Sequence, residues 1–287
     1  MTQARALKLL GLSVVLFGGV WPVTKDALRN ATPIWFGCTR AALACLAAFV
    51  MIAVVGRLRL PQGRDWATVL ALGGLQIGAF FGFVHAALPH IPSGRAGLIG
   101  NVTIYWLVPL AVLVLGERVR PLRWAAAGLG LAGILVLVGP WSIDWGAPGV
   151  LFGHALLILA SLSWSLAILI VRRWPPRAPV FDLLPWAFAV AALLLVALAG
   201  GLEPGGGVGP GAWVQAAFIG IVAAPIGTWA TTEAGRHLNA VLASVGFLMV
   251  PVVGIILGTL WLGEPFGWDF VLGGALIAAG VILAARE

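Results

Sequence analysis

Charge is what this chain has least of. Asp, Glu, Lys and Arg make up 9% of its 287 residues, against roughly one quarter in a soluble domain. None of the ten acids falls in the middle of an apolar run. The two cysteines, Cys38 and Cys45, are seven apart and share a helix face roughly 10 Å apart along the axis, which excludes a disulfide between them. Four scattered histidines without neighbouring cysteines or paired acids do not make a metal site. No G-x-x-x-x-G-K-[ST] stretch cradles a phosphate, which excludes ATP as a direct energy source. The expectation is no catalytic constellation, no metal and no cofactor. Tyrosine is nearly absent too, and the one present, Tyr105, sits in the apolar stretch "GLIGNVTIYWLVPL" four residues after Asn101.

What is present is hydrophobic length. The chain is 61% hydrophobic. Charge-free stretches run Leu9–Thr24, Ala41–Gly56, Trp66–Gly94, Ala96–Gly116, Trp124–Ile143 and Trp145–Val171, then Leu183–Leu202, Pro204–Thr232, Leu238–Gly263 and Phe270–Ala285. Each is near the ~20 residues that span a bilayer. The reading is an all-α integral membrane protein of ten transmembrane helices with short loops, and lipid is its partner. Arg5 and Lys8 precede the first run as in a secretory signal, but the run ends in "VWPVTKDAL" without a small-residue cleavage pattern, so it reads as an uncleaved first helix.

The net charge of +7 invites a nucleic-acid reading, and its distribution rejects it. With the amino terminus in the cytoplasm, thirteen Lys and Arg residues fall on the inner side and only Lys25, Arg29 and Arg95 on the outer. That bias places both termini in the cytoplasm. Arg40 alone lies within a span, eight residues deep; an unpaired charge there costs at least ~2.5 kcal/mol, so it should pair with a helix end or a carbonyl.

The chain also repeats itself. Glu117 and Glu264 each close "LGE" and lie 147 positions apart. The same offset pairs Trp66 with Trp213, Gly73 with Gly220, His90 with His237, Ala96 with Ala243, Gly133 with Gly280, Phe17 with Trp164 and Lys25 with Arg172. Five spans per half is odd, so the second half enters the membrane from the opposite side. Two inverted five-helix repeats, 1–143 and 144–287, are the architecture of secondary transporters, whose substrate site lies near mid-membrane between halves.

Proline in the fourth and ninth spans (Pro109, Pro251), "LGE" closing each, and the Gly-rich "GLGLAGILVLVG" and "GGALIAAGVIL" that follow resemble the drug/metabolite transporter superfamily, EamA-type exporters above all. The second half fits better, since Pro251 precedes its Glu by 13 residues and Pro109 by eight. The aromatic content is similar to that of YddG-type exporters of aromatic amino acids. The resemblance implies a central cavity walled by the first, third, fourth, sixth, eighth and ninth helices.

On those helices lie the candidate substrate-binding residues. Asn101 and Tyr105 share a face that lipid cannot satisfy; they are interhelical glue or a cavity wall. Gln76, Phe80 and Phe83 lie on one face of the third span, while Gly74, Gly78 and Gly82 form a close-packing stripe on another. Trp164, between Ser161 and Ser165, is an interfacial residue or the opposite wall. Thr228 and Ser244 are weaker, because small hydroxyls often bond their own helix. Pro22 interrupts the first helix and sets Trp21 and Lys25 on one side; Pro22, Pro109 and Pro251 are hinges or merely shape. Lys25 snorkels outward or guards the cavity mouth. With no acid at depth, His85 and Glu233 are the candidates for charge relay, and uncoupled movement is at least as well supported as proton antiport. The sum is an inner-membrane exporter of small amphipathic metabolites, aromatic or bulky apolar amino acids first, working by alternating access. The alternatives are a multidrug exporter of aromatic cations and, from another class, an integral membrane enzyme or scaffold.

Overall fold

The computed structural model describes residues 3–100, 102–116, 121–138, 143–144, 146–235 and 249–285. Among them the regular elements are helices, as backbone in hydrocarbon requires, since each N–H and C=O there must bond within its own segment. They are α1 (Gln3–Ala27), α2 (Pro33–Val54), α3 (Asp65–Ala87), α4 (Ser93–Gly100), α5 (Thr103–Leu115), α6 (Pro121–Val138), α7 (Val150–Arg173) and α8 (Val180–Leu202). α9 runs 213–235, and α10 (Met249–Leu262) and α11 (Trp268–Ala285) follow. Six of these are long and apolar enough to cross a membrane; Trp124–Leu137, Met249–Leu262 and Trp268–Gly280 are shorter apolar helices. α1, α5 and α10 run as helix through Pro22, Pro109 and Pro251.

The surface is that of a protein dissolved in lipid. Leu113, Val214 and Leu260 are about four-fifths exposed (80%, 78% and 79%), while Ser161, Ser165, His85 and Arg40 are buried. Connections gather at two ends. At one, called upper here, the turn at 28–32 meets 206–209 through an isolated bridge, Ala31–Val208, and Lys25 and Ser93 meet the 263–267 turn. At the lower end Asp65 accepts the backbone N–H of Arg177 (2.8 Å) and Ala178 (3.1 Å), and Arg57 and Arg59 hold Asp182 at 2.8 and 2.9 Å.

Helix bounds recur at the 147-residue offset. α2 starts at Pro33 and α8 at Val180; α6 starts at Pro121 and α11 at Trp268. Gly116 and Gly263, just past the ends of α5 and α10, take φ of 65° and 66°, the left-handed turn that favours glycine after a helix. The packing recurs as well. Gly73 lies so close to α8 that a methyl group there would overlap the Ala187 carbonyl and Val190. Gly220 lies against α2, and a methyl group would overlap the Arg40 carbonyl and Leu43. Ala187 and Val190 stand 147 positions after Arg40 and Leu43.

One expected surface is corrected. The residues of α3 that pack on α8 are Gly73, Gly78 and Gly82, and Gly74 faces open space. The stretch Ala71–Ala79 is π-helical, so its neighbours along the axis are five apart rather than four. That slip moves the stripe by one residue. Phe218–Ala223 in α9 is π-helical too, beginning 147 residues after Ala71.

Candidate functional site

The helix interiors meet in an aromatic cluster. Trp21 of α1, Phe80 of α3, Ile99 of α4 and Leu157 of α7 are buried together, with Phe81, Phe83 and Trp164 packed against them. The Phe80 and Trp164 rings lie edge to face, 4.7 Å between centroids and 69° between planes; Phe80 and Phe81 do the same at 5.1 Å and 82°. That arrangement satisfies the ring quadrupoles. The indole of Trp21 lies over Gly97 and Gly100 of α4 and beside Gly254 of α10. Glycine on both flanks is what lets so large a ring sit among three helices. The structure therefore brings Trp21, Phe80, Phe83 and Trp164 into one place.

The remaining candidates divide. Gln76 is half-buried in the π-helical stretch and lies outside the aromatic cluster. Thr228 donates its hydroxyl to its own helix, at Ala224 O, 2.6 Å. Asn101 and Ser244 lie outside the described residues, as do the side chains of Tyr105 and Glu233. Cys38 and Cys45 are free thiols. Beside Tyr105 in sequence, Trp106 donates its indole N–H to Ser161 Oγ at 2.9 Å, and Ser165 Oγ donates to Thr103 O at 2.7 Å. These bonds tie α5 to α7 under the aromatic cluster, and helix spacing alone cannot reveal them because they cross between helices.

Among the described residues the side-chain partner of Arg40 is not the expected helix end or carbonyl. Its Nη1 donates to His85 Nε2 at 3.2 Å, and its guanidinium lies 4.0 Å from the centre of the Phe81 ring. Because guanidinium only donates, Nε2 is the accepting nitrogen and the ring proton sits on Nδ1. Nδ1 is buried without a hydrogen-bond partner among the described residues, and a methyl group at Gly37 would overlap it. Gly37 thus makes room for the imidazole, which Phe36 also meets edge-on at 5.7 Å. His85 of α3 packs against Phe36, Gly37 and Arg40 of α2.

The upper mouth carries the charge. Lys25 Nζ donates to Ile91 O at 2.6 Å and lies 3.8 Å from Glu264 Oε1. Glu264, from the turn after α10, accepts Ser93 N (2.6 Å), Ser93 Oγ (2.7 Å) and Gly94 N (3.2 Å). It caps α4, satisfying donors that the first turn of a helix leaves open. Glu203 does the same for α2 through Ile34 N and Trp35 N. Nearby, Arg95 and Asp269 form a buried pair at 2.7 Å. Above Lys25 is a pocket of about 230 Å³ lined by Lys25, Leu28, Arg29, Leu88, Pro89, Leu262 and Glu264. Glu264 stands out in the sequence only as a repeat marker; its role at the mouth depends on a contact 171 residues away. Among the described residues no group of three or more His, Cys, Asp or Glu could hold a metal ion.

Several spanning-length helices, an apolar exterior and buried polar contacts describe a multi-pass membrane protein, and known proteins agree. A family model described as the EamA-like transporter family matches residues 5–139 and again 151–286. A probable amino-acid metabolite efflux pump of Escherichia coli is 28% identical over 287 aligned positions, covering 95% of this chain and 92% of the other. A probable terminal-alkyne amino-acid exporter of Streptantibioticus cattleyicolor is 22% identical, covering 100% and 95%. One solved crystal structure shares the fold at a TM-score of 0.68, with 22% identity and 99% of each chain covered. The chain belongs to the EamA-like transporter family.

Proposed function

We propose that this protein exports small amphipathic metabolites, aromatic or bulky apolar amino acids foremost, from the cytoplasm across the cell membrane. Its ten spans form two inverted five-helix repeats, 1–143 and 144–287, with both termini cytoplasmic and the upper end extracellular. The observation that carries the substrate class is the aromatic cluster of Trp21, Phe80 and Trp164, drawn from both repeats, beneath a mouth bearing charges of both signs. The helix bounds, the glycine contacts and the two family matches support the repeat reading. The names of the two amino-acid exporting relatives support the cargo. Asn101, Tyr105 and Gln76 extend the wall, Thr228 and Ser244 line it from the second repeat, and Pro22, Pro109 and Pro251 let the helices flex.

The proposed mechanism is alternating access, and the packing of the fourth span supports it. Its upper piece, α4, lies against α1, α7 and α10, whereas its lower piece, α5, packs chiefly on α6 and α7. The upper contacts support a state closed above. No acid lies at mid-membrane and His85 is bonded by Arg40, so transport runs down the substrate gradient without proton coupling; were a relay needed, Glu233 would be the group left. Flux of labelled phenylalanine into proteoliposomes tests both points. It should exceed that of empty liposomes and persist when a protonophore removes the pH gradient. No flux overturns the substrate class, and flux abolished by the protonophore overturns the uncoupled mechanism.

A further inference from the structure

The pocket at the upper mouth is chemically unlike the aromatic cluster beneath it. Its walls are apolar (Leu28, Leu88, Pro89, Leu262), and its polar groups are one carboxylate and two cations, Lys25 and Arg29. At about 230 Å³ it is smaller than the ≈300–1,000 Å³ that holds a drug-sized ligand. It suits a small metabolite.

The hydrogen-bond inventory at its floor is incomplete in a specific way. A carboxylate offers about four acceptor positions. On Glu264, three are taken by Ser93 N, Ser93 Oγ and Gly94 N. The fourth, on Oε1, forms an ion pair with Lys25 across 3.8 Å, longer than a hydrogen bond. An ammonium has three donors, and among the described residues the Lys25 ammonium gives one to Ile91 O. So one acceptor position and two ammonium donors face each other in an ion pair too long for a hydrogen bond, with room for a ligand to bond both. Both side chains line the pocket, with Lys25 28% and Glu264 10% exposed. Arg29, 66% exposed and paired with Asp26 at 3.5 Å, stands at the rim of the same pocket.

The geometry points to a site for the head group of a zwitterion: an α-amino acid whose carboxylate bonds Lys25, with Arg29 at the rim, and whose ammonium takes the fourth position on Glu264. An α-amino acid carries both charges on adjacent carbons, which matches the short separation of the donor and acceptor. A cation alone would compete with Lys25 for Glu264, and an anion alone would compete with Glu264 for Lys25; a zwitterion answers both partners of the pair. The inference rests on amino-acid export and makes this pocket the last site the substrate occupies before release, with Leu28 and Leu262 receiving its side chain.

Proteoliposome flux with three probes tests it: phenylalanine, phenylalaninamide without the carboxylate, and N-acetylphenylalanine without the ammonium. The wild-type protein should prefer phenylalanine to both. Lys25→Gln should shrink the preference over the amide by about tenfold, the size of one charge-assisted hydrogen bond, and Lys25→Arg should restore part of it. Glu264→Gln should shrink the preference over the N-acetyl compound. Because Glu264 also caps α4, Arg29→Gln serves as the variant that leaves the fold alone, with a smaller loss against the amide. Variants that fold and keep wild-type preferences overturn the site while leaving amino-acid export standing. A wild-type protein that moves none of the probes overturns the export reading and this site with it.

Discussion

Contacts in the frame of this molecule recur at one fixed offset, and those of its candidate site do not. In the frame, Gly73 meets Ala187 and Val190, while Gly220 meets Arg40 and Leu43, each pair displaced by the same 147 positions. In the site the offset joins unlike residues. Trp21 corresponds to Ile168, Phe80 to Gly227, Arg40 to Ala187, His85 to Thr232 and Ser93 to Ala240. The clearest case is a shared contact with different contents. Phe80 packs edge-on against Trp164 between α3 and α7, and at the equivalent place between α9 and α1, Gly227 lies under the Phe17 ring. Both halves face the same packing problem, so the same small residues solve it twice. Under the proposed function a substrate without two-fold symmetry is bound once, which leaves the residues that line its site free to differ.

The largest test of that comparison is all or none. If the halves are inverted, Pro121 and Trp268, equivalent and both exposed, lie on opposite sides of the membrane, Pro121 in the cytoplasm and Trp268 outside. In a background with Cys38 and Cys45 replaced by alanine, Pro121→Cys and Trp268→Cys should label from opposite faces with an impermeant thiol reagent. Labelling of both from one face would reduce the two-fold frame to a coincidence of spacing.

Next come the rings. Phe80→Ala empties a buried position and should lower stability by about 3–5 kcal/mol, read as a large drop in melting temperature. Trp164→Ala, half-buried, should cost less stability and change selectivity more. The transport ratio of phenylalanine to a small amino acid should fall by a factor of about three to ten, the value of an aromatic contact. Phe17→Ala, at the equivalent position in the other half, should destabilise without moving that ratio. An equal shift in both variants would mean that the two halves line the path alike.

Much of the frame is legible in the amino-acid sequence. Apolar runs without charge become helices because lipid leaves the backbone no other partner, so the helices fall where the charges are missing. Trp21, Phe80, Phe83 and Trp164 meet because aromatic residues on facing helices pack together. What spacing hides is anything set by contacts between helices or by irregular turns. The π-helical stretch slips the glycine register and takes Gln76 with it, and no composition signal marks such a stretch. Arg40 is conspicuous as a charge within a span, but its answer, His85, is 45 positions away on another helix. Glu264 is visible as the end of a motif, and only the fold reveals which helix it caps.

A smaller effect concerns the frame itself. Gly73→Ala and Gly220→Ala each push a methyl group into a backbone carbonyl of the facing helix. Overpacking of this kind costs about 1–3 kcal/mol. The two variants should lower the melting temperature by similar amounts, since each methyl group meets equivalent residues of the facing helix. A loss confined to one of them would show that the second contact is looser than its partner.

The smallest effect has the opposite sign. Gly74 sits next to Gly73, and a side chain there would meet nothing within 4 Å. The equivalent residue in the other half is Ile221, 47% exposed, so that half already carries a large side chain at this place, pointing away from the packed face. Glycine within a helix costs roughly 0.5–1 kcal/mol relative to alanine through the freedom it loses on folding. Gly74→Ala should therefore raise the melting temperature slightly, while Gly78→Ala, which drives a methyl group towards Leu194 and the Gly73 carbonyl, should lower it. The pair separates a π-helical from a regular register. In a regular helix Gly74 and Gly78 share a face and would respond alike; with the extra residue per turn, Gly78 aligns with Gly73 instead. A destabilising Gly74→Ala would restore the four-residue stripe and remove the slip that sets Gln76 apart from the aromatic cluster.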